Sequence, residues 1–448
     1  MHITLNNSRV LVDEVPVVSV VGLNDDDDVI ISAEVDDRDR RTWIAYGRYQ
    51  SVRGEVDTTV QASLGGTYEG VDPMGLLWSA IPVTPEQKAE FERRLQAERR
   101  MLPQLFTTEQ YAGSRPLLVR LRASARGEVV ETSYERFFCN PSVEEREVAE
   151  GRIRGKTFAP VGAESASAVV VISGSSGGIA EQQARLLASR GHLVFALAYC
   201  GYDDLPMSPL DIDIEYFNEG IGWFRSQVSA TTLTLVATSY GTQAATIVGA
   251  EYPGLIDALV LLVPSHVLNM GLASDFSVAG SFLRKNGRPI PYVTPEFPIL
   301  KQIEAAQRTE TITDIALSDY YRSVWKEVEA KAASRLPIER VNLPTLLVSG
   351  TDDQLWPSDF AARCLKERAN GPIDHISIKG GGHLAIGTPG HTAWNSHLGG
   401  WNPLAPQYVH NPLGGSPSAN GRGQFTTWRA VDEFLRRNCD AEVELPPL

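Results

Sequence analysis

A serine, an aspartate and a histidine occur along this chain at positions from which they could act together on an acyl group. The serine is Ser239, in the segment LVATSYGTQAA, where an apolar run predicted as a buried strand turns abruptly into a predicted helix. A sharp strand–serine–helix turn exposes the hydroxyl at the edge of a parallel sheet, so the segment is typical of a nucleophile elbow. Taken alone, it is equally compatible with a structural serine that caps a helix.

The candidate acid and base follow the serine in the order that such a site requires. The apolar segment LPTLLVSG is predicted as a late strand, and Asp353 lies three residues after its last glycine, with Asp352 as the alternative acid. His383 comes thirty residues later, directly after three glycines. We therefore expect Ser239 to attack an acyl carbonyl, His383 to accept and return the proton, and Asp353 to orient the imidazole.

The oxyanion formed in such a reaction needs preorganised N–H donors. We expect one to be the backbone amide of Tyr240, which directly follows the nucleophile. The other is expected to be the amide of Ser175, in the turn GSSGG after a predicted strand, with Ser176 as the alternative. A glycine-rich turn before a helix could also bind phosphate, but this turn matches neither a P-loop nor the dinucleotide fingerprint.

Other residues with reactive side chains are expected to be structural. Cys200 follows a predicted strand and could line the site, but a buried free cysteine usually behaves as a small hydrophobic residue. The acidic run at 25–28 lacks the later glycine and glutamate of a calcium loop and is interpreted as a solvated turn. No metal site and no cofactor is predicted, because no HExxH-type pair occurs among the other histidines, which include His192, His266, His375, His391, His397 and His410.

The composition indicates an acidic, soluble protein. The 448 residues are 43% hydrophobic and 21% charged, and 41 Lys and Arg against 55 Asp and Glu give a net charge of −14. The average field of such a chain repels phosphate, so neither nucleic acid nor a membrane surface is an expected partner. The sequence starts without a signal-peptide pattern, has no apolar run of about 18 residues, and contains four widely spaced cysteines, so we expect a cytoplasmic location.

The elements that must position these residues change character near residue 160. Residues 1–158 contain short runs rich in Val, Ile, Thr and aromatic residues between acidic turns, which predicts a β-sandwich domain, interrupted by one helix over 84–101. Residues 159–448 alternate apolar strands with helices, which predicts a parallel sheet covered on both faces.

Two segments of the second region depart from this alternation. Residues 268–338 mix apolar and polar stretches and are expected to form a helical insertion over the mouth of the site. Residues 387–424 are rich in Gly, Pro, Asn and Ser and are predicted as loop, followed by an amphipathic closing helix over 426–438.

Over nearly its whole length the chain resembles the acyl-CoA thioesterases related to bile acid-CoA:amino acid N-acyltransferase. The segments that carry the resemblance are GGTYEGVDPMGLLWSAIP, ISGSSGGIAEQQARLLASRGHLVFALAYCGYDDLP, IDIEYFNEGIGWF, GTDDQLWPSDFAA, GGGHL and TTWRAVDEFL. The resemblance implies an immunoglobulin-like β-sandwich followed by an α/β-hydrolase domain. It also implies a nucleophile, acid and base at Ser239, Asp353 and His383, acting on acyl-CoA thioesters.

The elbow differs from the family pattern Gly-x-Ser-Lys-Gly at two positions, where this chain has Ala237 and Tyr240. Family members with serine as nucleophile mostly hydrolyse thioesters, whereas the amino-acid transferases typically have cysteine. The resemblance therefore implies a thioesterase, acting on an acyl thioester of CoA or of a carrier protein. An acyltransferase or cyclase of the same fold is the alternative, and a binding protein without activity is a third possibility.

Overall fold

The structure is a computed structural model that describes most of the chain. The described residues are 1–36, 42–83, 116–162, 167–272, 278–293, 299–311, 313–389, 400–401 and 408–439. The helix predicted over 84–101 lies outside these ranges. Within them, no helix combines the length and the apolar character needed to cross a membrane.

Two sheets in the first part of the chain pack face to face. Their elements are β1 (His2–Leu5), β2 (Arg9–Leu11), β3 (Val18–Val21), β4 (Asp28–Asp36), β5 (Thr42–Gln50), β6 (Glu55–Asp57), α1 (Gly75–Trp78), β7 (Ile81–Pro82), β8 (Leu117–Ala125) and β9 (Glu128–Phe137). The smaller sheet has the order β1-β3-β6 and the larger β2-β9-β8-β4-β5-β7. Alternate residues of β4 are buried, namely Val29, Ile31 and Ala33. They share one face of the strand, because successive side chains point to opposite faces. The predicted β-sandwich is confirmed.

The acidic run before β4 forms a turn whose carboxylates have separate partners. Asp27 accepts a hydrogen bond from the Asn24 amide (2.7 Å), and Asp25 accepts one from the Gly54 amide (3.0 Å). Asp28 forms a two-pronged ion pair with Arg48. These contacts fit the interpretation of this run as a turn.

The second part of the chain is built on an eight-stranded sheet. Its elements are β10 (Val143–Glu150), β11 (Ile153–Pro160), β12 (Ser167–Ile172), α2 (Glu181–Ser189), β13 (Leu193–Leu197), β14 (Ile212–Asp213), α3 (Ile214–Gln227), β15 (Thr232–Thr238), α4 (Gly241–Glu251), β16 (Ala258–Leu262), β17 (Met270–Leu272), β18 (Val278–Ser281), β19 (Leu283–Lys285), β20 (Arg288–Pro289), α5 (Ile299–Thr309), β21 (Thr313–Asp314), α6 (Ser318–Lys331), β22 (Thr345–Gly350), α7 (Ser358–Arg368), β23 (Ile373–Ile378), β24 (Gly400–Trp401), β25 (Val409–Asn411) and α8 (Pro417–Arg437). Short 3₁₀ helices span Ile338–Arg340 and His383–Ile386. The strand order is β10-β11-β13-β12-β15-β16-β22-β23, parallel from β13 onwards.

The division between the sheets lies earlier than the predicted domain boundary at 158/159. β10 and β11 form an antiparallel pair, and β11 pairs antiparallel to β13, so both strands belong to the larger sheet of the second region. The chain therefore passes from one sheet system to the other between Phe137 and Val143. The sequence could not separate these two strands from the preceding ones because they have the same alternating, Thr- and charge-containing pattern.

The eight-stranded sheet separates two hydrophobic cores. In β12, Val169 and Val171 face one core, while Val170 and Ile172 face the other. The first core also contains the inner faces of the β-sandwich together with α2 and α8, so it is continuous across both regions. The second contains α3, α4 and α7. The predicted parallel sheet covered on both faces is confirmed for its central and C-terminal strands.

The described parts of the insertion at 268–338 contain two helices, α5 and α6, together with short strands. The insertion contacts the elbow helix through Asn269, whose backbone amide donates to the side-chain oxygen of Gln243 (2.7 Å). It contacts the loop of the candidate acid through the Ser318 amide, which donates to the Gln354 carbonyl (3.0 Å). Through these contacts the insertion lies next to the two loops that carry the candidate nucleophile and acid.

The closing helix begins earlier than predicted. α8 starts at Pro417, where Ser416 caps it by accepting a hydrogen bond from the Ala419 amide (3.2 Å). The loop prediction over 387–424 is therefore wrong for its last eight residues. Gly421 and Gly423 suggested a loop, but tertiary packing requires them in the helix: a Cβ at Gly421 would lie 2.5 Å from the Trp78 ring.

Candidate active site

Ser239 lies in the turn between β15 and α4. Its φ of +54° puts a non-glycine residue in the left-handed region, which is the backbone strain of a nucleophile elbow. The Ser239 amide donates to the Leu262 carbonyl (2.9 Å), and its carbonyl accepts from the amide (3.0 Å) and hydroxyl (2.6 Å) of Thr242. These bonds fix the backbone of the turn and leave the side chain at the edge of the sheet.

The helix that follows the turn passes very close to the end of β12. A Cβ on Gly241 would lie 2.4 Å from the Ser173 carbonyl oxygen, closer than any real contact. Ala237, which stands in place of the family's first glycine, is fully buried in β15. The crossing of strand and helix therefore explains the small residues on both sides of the nucleophile.

The structure brings the three predicted side chains together. His383 Nε2 lies 3.1 Å from Ser239 Oγ, and His383 Nδ1 lies 2.9 Å from Asp353 Oδ2. All three residues are 5–6% exposed. With Asp353 accepting from Nδ1–H, the lone pair on Nε2 faces the serine hydroxyl, which is the arrangement that general-base catalysis requires.

The loop after β22 distinguishes the two candidate acids. The other oxygen of Asp353, Oδ1, accepts hydrogen bonds from the amides of Leu355 (3.1 Å) and Trp356 (3.2 Å), which fix the carboxylate against His383. Asp352 has different partners: one oxygen accepts from the Gly415 amide (2.9 Å) and the other from the side chain of Gln354 (3.3 Å). The imidazole therefore contacts Asp353 and not Asp352.

An aromatic side chain supports the imidazole. The ring of Trp356 lies edge-on to the His383 ring, with centroids 5.7 Å apart, and its indole N–H donates to the Val263 carbonyl (3.1 Å). Trp356 is 1% exposed, so its orientation is fixed by packing as well as by this bond. The ring therefore limits the movement of the imidazole.

The glycine-rich turn after β12 lies beside the nucleophile. A Cβ on Gly174 would be 3.1 Å from the Ser239 Cβ. The phenol of Tyr199, which follows β13, donates to the carbonyl of Gly174 (2.5 Å). β12 lies between β13 and β15 in the sheet, and the C=O and N–H of a trans peptide point in opposite directions. Because the Gly174 carbonyl is directed at Tyr199, the Ser175 N–H of the same peptide is directed away from Tyr199, while Ser176 is exposed.

The side chain of Tyr240 is buried and packs against aromatic rings. Its ring stacks on Trp356, with centroids 5.6 Å apart, and meets Phe282 edge-on. Burial raises the pKa of Tyr240 well above its ordinary value, so the phenol stays neutral where the family pattern has a lysine. Within the described residues, the amides of Tyr240 and Ser175 donate no backbone hydrogen bond. Both amides can therefore donate to a ligand atom.

Cys200 lies behind the glycine-rich turn and is fully buried. A Cβ on Gly177 would lie 2.8 Å from its sulfur, which places the thiol against the turn. Burial raises the pKa of the Cys200 thiol to about 12. The protonated thiol is a poor nucleophile, so its role here is packing.

Sequence reasoning missed three residues that contact the site: Tyr199, Trp356 and Asn420, whose side-chain oxygen accepts a hydrogen bond from the amide of Gly382, directly before His383 (2.8 Å). Tyr199 and Trp356 follow predicted strands at the edge where a parallel sheet carries its site, and that position was the available signal. Asn420 carried no signal, because its segment was predicted as loop.

Comparisons with known proteins agree with this architecture. A family model described as the acyl-CoA thioester hydrolase/BAAT N-terminal region matches residues 13–150, and one described as the BAAT/acyl-CoA thioester hydrolase C terminal matches residues 212–441. Mouse acyl-coenzyme A amino acid N-acyltransferase 2 is 27% identical over 439 residues, covering 96% of both chains. Human acyl-coenzyme A thioesterase 1 is 28% identical over 439 residues, covering 95% of this chain and 94% of its own. Human mitochondrial acyl-coenzyme A thioesterase 2 is also 28% identical over 439 residues, covering 95% of this chain and 82% of its own.

Proposed function

Because the chain belongs to the acyl-CoA thioester hydrolase/BAAT family, we propose that it is an acyl-transfer enzyme that hydrolyses an acyl thioester through an acyl-enzyme on Ser239. The observation that carries the proposal is the continuous contact from Ser239 Oγ to His383 (3.1 Å) and from His383 to Asp353 (2.9 Å). The thioesterases and the N-acyltransferase among the relatives support an acyl-CoA as the substrate class.

The acylation step uses the triad and the two free amides. Ser239 Oγ attacks the thioester carbonyl while His383 Nε2 takes the hydroxyl proton, and Asp353 stabilises the resulting imidazolium. The amides of Ser175 and Tyr240 donate to the oxyanion as it forms, and Tyr199 keeps the first of them in place. Collapse of the tetrahedral intermediate breaks the C–S bond, and the leaving sulfur receives the proton from His383.

The deacylation step repeats these roles with water as the nucleophile. His383 takes a proton from the water, which attacks the ester carbonyl of the acyl-enzyme, and the same amides bind the second oxyanion. Breaking the C–O bond returns the proton to Ser239 and releases the free acid. No step requires a cofactor or a charged group other than the triad.

An amine or hydroxyl acceptor in place of water would make the same site an acyltransferase or cyclase. The similarity to an N-acyltransferase over 96% of both chains favours keeping this second candidate. The serine nucleophile favours hydrolysis, in line with the family resemblance. A carrier-protein thioester as substrate, a cytoplasmic location, and the lack of nucleic-acid and membrane partners stay predictions.

The test is turnover of a panel of acyl-CoA thioesters, following free thiol and the mass of the acyl product with and without amino-acid acceptors. We expect free acid to form without an acceptor. Ser239→Ala should lower kcat by about 10⁴- to 10⁶-fold, because the acyl-enzyme cannot form. Ser226→Ala, at an exposed position near the end of α3, is the control and should keep wild-type turnover.

Three outcomes would decide against hydrolysis at Ser239. Product that appears only as the acyl-acceptor conjugate would make the chain an acyltransferase. Unchanged turnover in Ser239→Ala would refute the assignment of Ser239 as the nucleophile. A wild-type protein that is inert towards every thioester and ester would favour the interpretation of the chain as a binding protein.

A further inference from the structure

Three backbone segments meet next to the candidate acid and base, Asp353 and His383. They are the acid loop (residues 350–354), the base loop (residues 380–383) and a segment before α8 that we call the clamp segment (residues 411–416). The clamp segment touches both loops: Gly414 forms an antiparallel bridge with Asp353, and the Leu413 carbonyl accepts from the His383 amide (2.8 Å). The acid and the base are thus bound to the same short stretch of chain.

The three segments pack backbone against backbone, with glycine at the points of closest approach. A Cβ on Gly414 would lie 1.9 Å from the Asp352 carbonyl oxygen. A Cβ on Gly382 would lie 2.0 Å from the Gly414 carbonyl oxygen, and one on Gly350 would lie 2.3 Å from that of Gly381. Contacts this short leave no space for a side chain between the segments, so each loop fixes the position of the next.

The side chain of Asn420 enters this junction from the first turn of α8. Its Oδ1 accepts a hydrogen bond from the Gly382 amide (2.8 Å), and its Nδ2 donates to the Gly414 carbonyl (3.1 Å). Asn420 is fully buried. Its amide group therefore joins the base loop directly to the clamp segment, one residue before His383 and at the position that pairs with Asp353.

We propose that Asn420 is a positioning residue that sets the separation of His383 and Asp353 through the clamp segment. The inference rests on the proposed function, since it assigns Asn420 a role in that reaction. Asn420 acts only on the two loop backbones, so it governs how well the imidazole is oriented and not how substrate binds. Small displacements of catalytic groups lower the rate strongly, which gives this contact a measurable effect.

The same helix offers a matched control. Thr427 is also fully buried, and its hydroxyl donates to the Ala385 carbonyl (3.2 Å), just after His383. Thr427→Val keeps the shape of the side chain and removes one buried hydrogen bond to the 3₁₀ helix that starts at His383, without a change in the clamp segment or the acid loop. This variant therefore measures how much turnover falls when α8 loses a hydrogen bond near His383 that does not involve the clamp segment.

The experiment compares Asn420→Ala with Thr427→Val in the full chain. Three readouts are taken well below the unfolding temperature: kcat and KM with an acyl-CoA, the rate at which a fluorophosphonate labels Ser239, and the downfield proton NMR resonance of the His383 Nδ1–H. We expect Asn420→Ala to lower kcat and the labelling rate by about 10- to 100-fold with KM unchanged, and to shift or broaden the resonance. Thr427→Val should keep wild-type values for all three.

A wild-type labelling rate and resonance in Asn420→Ala would overturn the proposal, as would equal losses in Thr427→Val. If Asn420→Ala does not fold, Asn420→Ser, which keeps a polar group in the junction, is measured instead, with the same expectations. Failure of the proposed function looks different. If wild-type Ser239 is labelled but the protein turns over no thioester, only the proposed substrate class is refuted, and the role of Asn420 is still tested by the labelling rate and the resonance. If wild-type Ser239 is not labelled, the triad assignment fails, and the NMR resonance alone decides the role of Asn420.

Discussion

Two adjacent carboxylates after β22 have separate partners, and the backbone of one loop decides which of them meets the imidazole. Asp353 reaches His383, while Asp352 binds the Gly415 amide. The sequence predicted the serine, the base and Asp353 as the acid, but it kept Asp352 as an alternative acid. Spacing after a strand does not determine which way each side chain points; the amides of Leu355 and Trp356 do so here.

Replacing each carboxylate in turn should separate their roles. Asp353→Asn is expected to lower kcat by about 10⁴-fold, because the neutral asparagine side chain cannot stabilise the imidazolium or select the tautomer of His383 as the carboxylate does. Asp352→Asn keeps an oxygen that can accept from the Gly415 amide, so it should retain most of the turnover. Steady-state kinetics with one acyl-CoA checks both variants, and equal losses would contradict the assignment of Asp353.

At the scale of elements, strand and helix types could be predicted from periodicity, whereas several boundaries depend on packing. β15 and β22, for example, appear where the apolar runs before Ser239 and before Asp353 predicted them. α8 begins well before its amphipathic pattern because Gly421 and Gly423 fit against Trp78 and Ala385, residues that are distant from them in the sequence. No local rule reports such a contact, so the helix start could not be predicted.

The crossing of α4 over β12 leads to a prediction about two glycines of one helix. Gly241→Ala should lower the free energy of unfolding by about 1–3 kcal/mol, because its Cβ would overlap the Ser173 carbonyl. In Gly249→Ala the new Cβ would meet Val341 at an ordinary 3.5 Å, and better helix propensity should stabilise the protein by up to about 1 kcal/mol. Urea unfolding measures both. A Gly241→Ala protein as stable as wild type would mean that the crossing is looser than the structure has it.

At the scale of the whole molecule, the β-sandwich and the eight-stranded sheet share one core and a polar contact at the C-terminal helix. Asp72 of the first region accepts hydrogen bonds from the indole N–H of Trp78 (2.9 Å) and from Arg422 of α8 (2.6 Å). Trp78 packs on Gly421, which is next to Asn420. The first region thus supports the helix that holds the base loop. The sequence predicted two regions but not this coupling, since each region shows only its own periodicity.

This coupling predicts a single unfolding transition for both regions. Asp72→Ala should lower the free energy of unfolding by about 2–3 kcal/mol, because it leaves a buried indole N–H without its acceptor and removes the partner of Arg422. Asp28→Asn, which breaks an exposed ion pair within the sandwich, should change stability little. Urea unfolding followed by both tryptophan fluorescence and far-UV circular dichroism tests this. Separate transitions by the two probes would show that the regions unfold independently.

The glycine contacts among the acid loop, the base loop and the clamp segment have a consequence for how such enzymes diverge. At Gly350, Gly382 and Gly414 there is no space for a side chain, so a substitution at any of the three would have to move the backbone that carries the acid or the base. The insertion at 268–338 reaches the elbow and the acid loop through contacts such as Asn269 with Gln243 and Ser318 with Gln354. Substitutions in the insertion can therefore alter the surroundings of the elbow and of the acid loop without acting on the glycine contacts that hold the acid against the base.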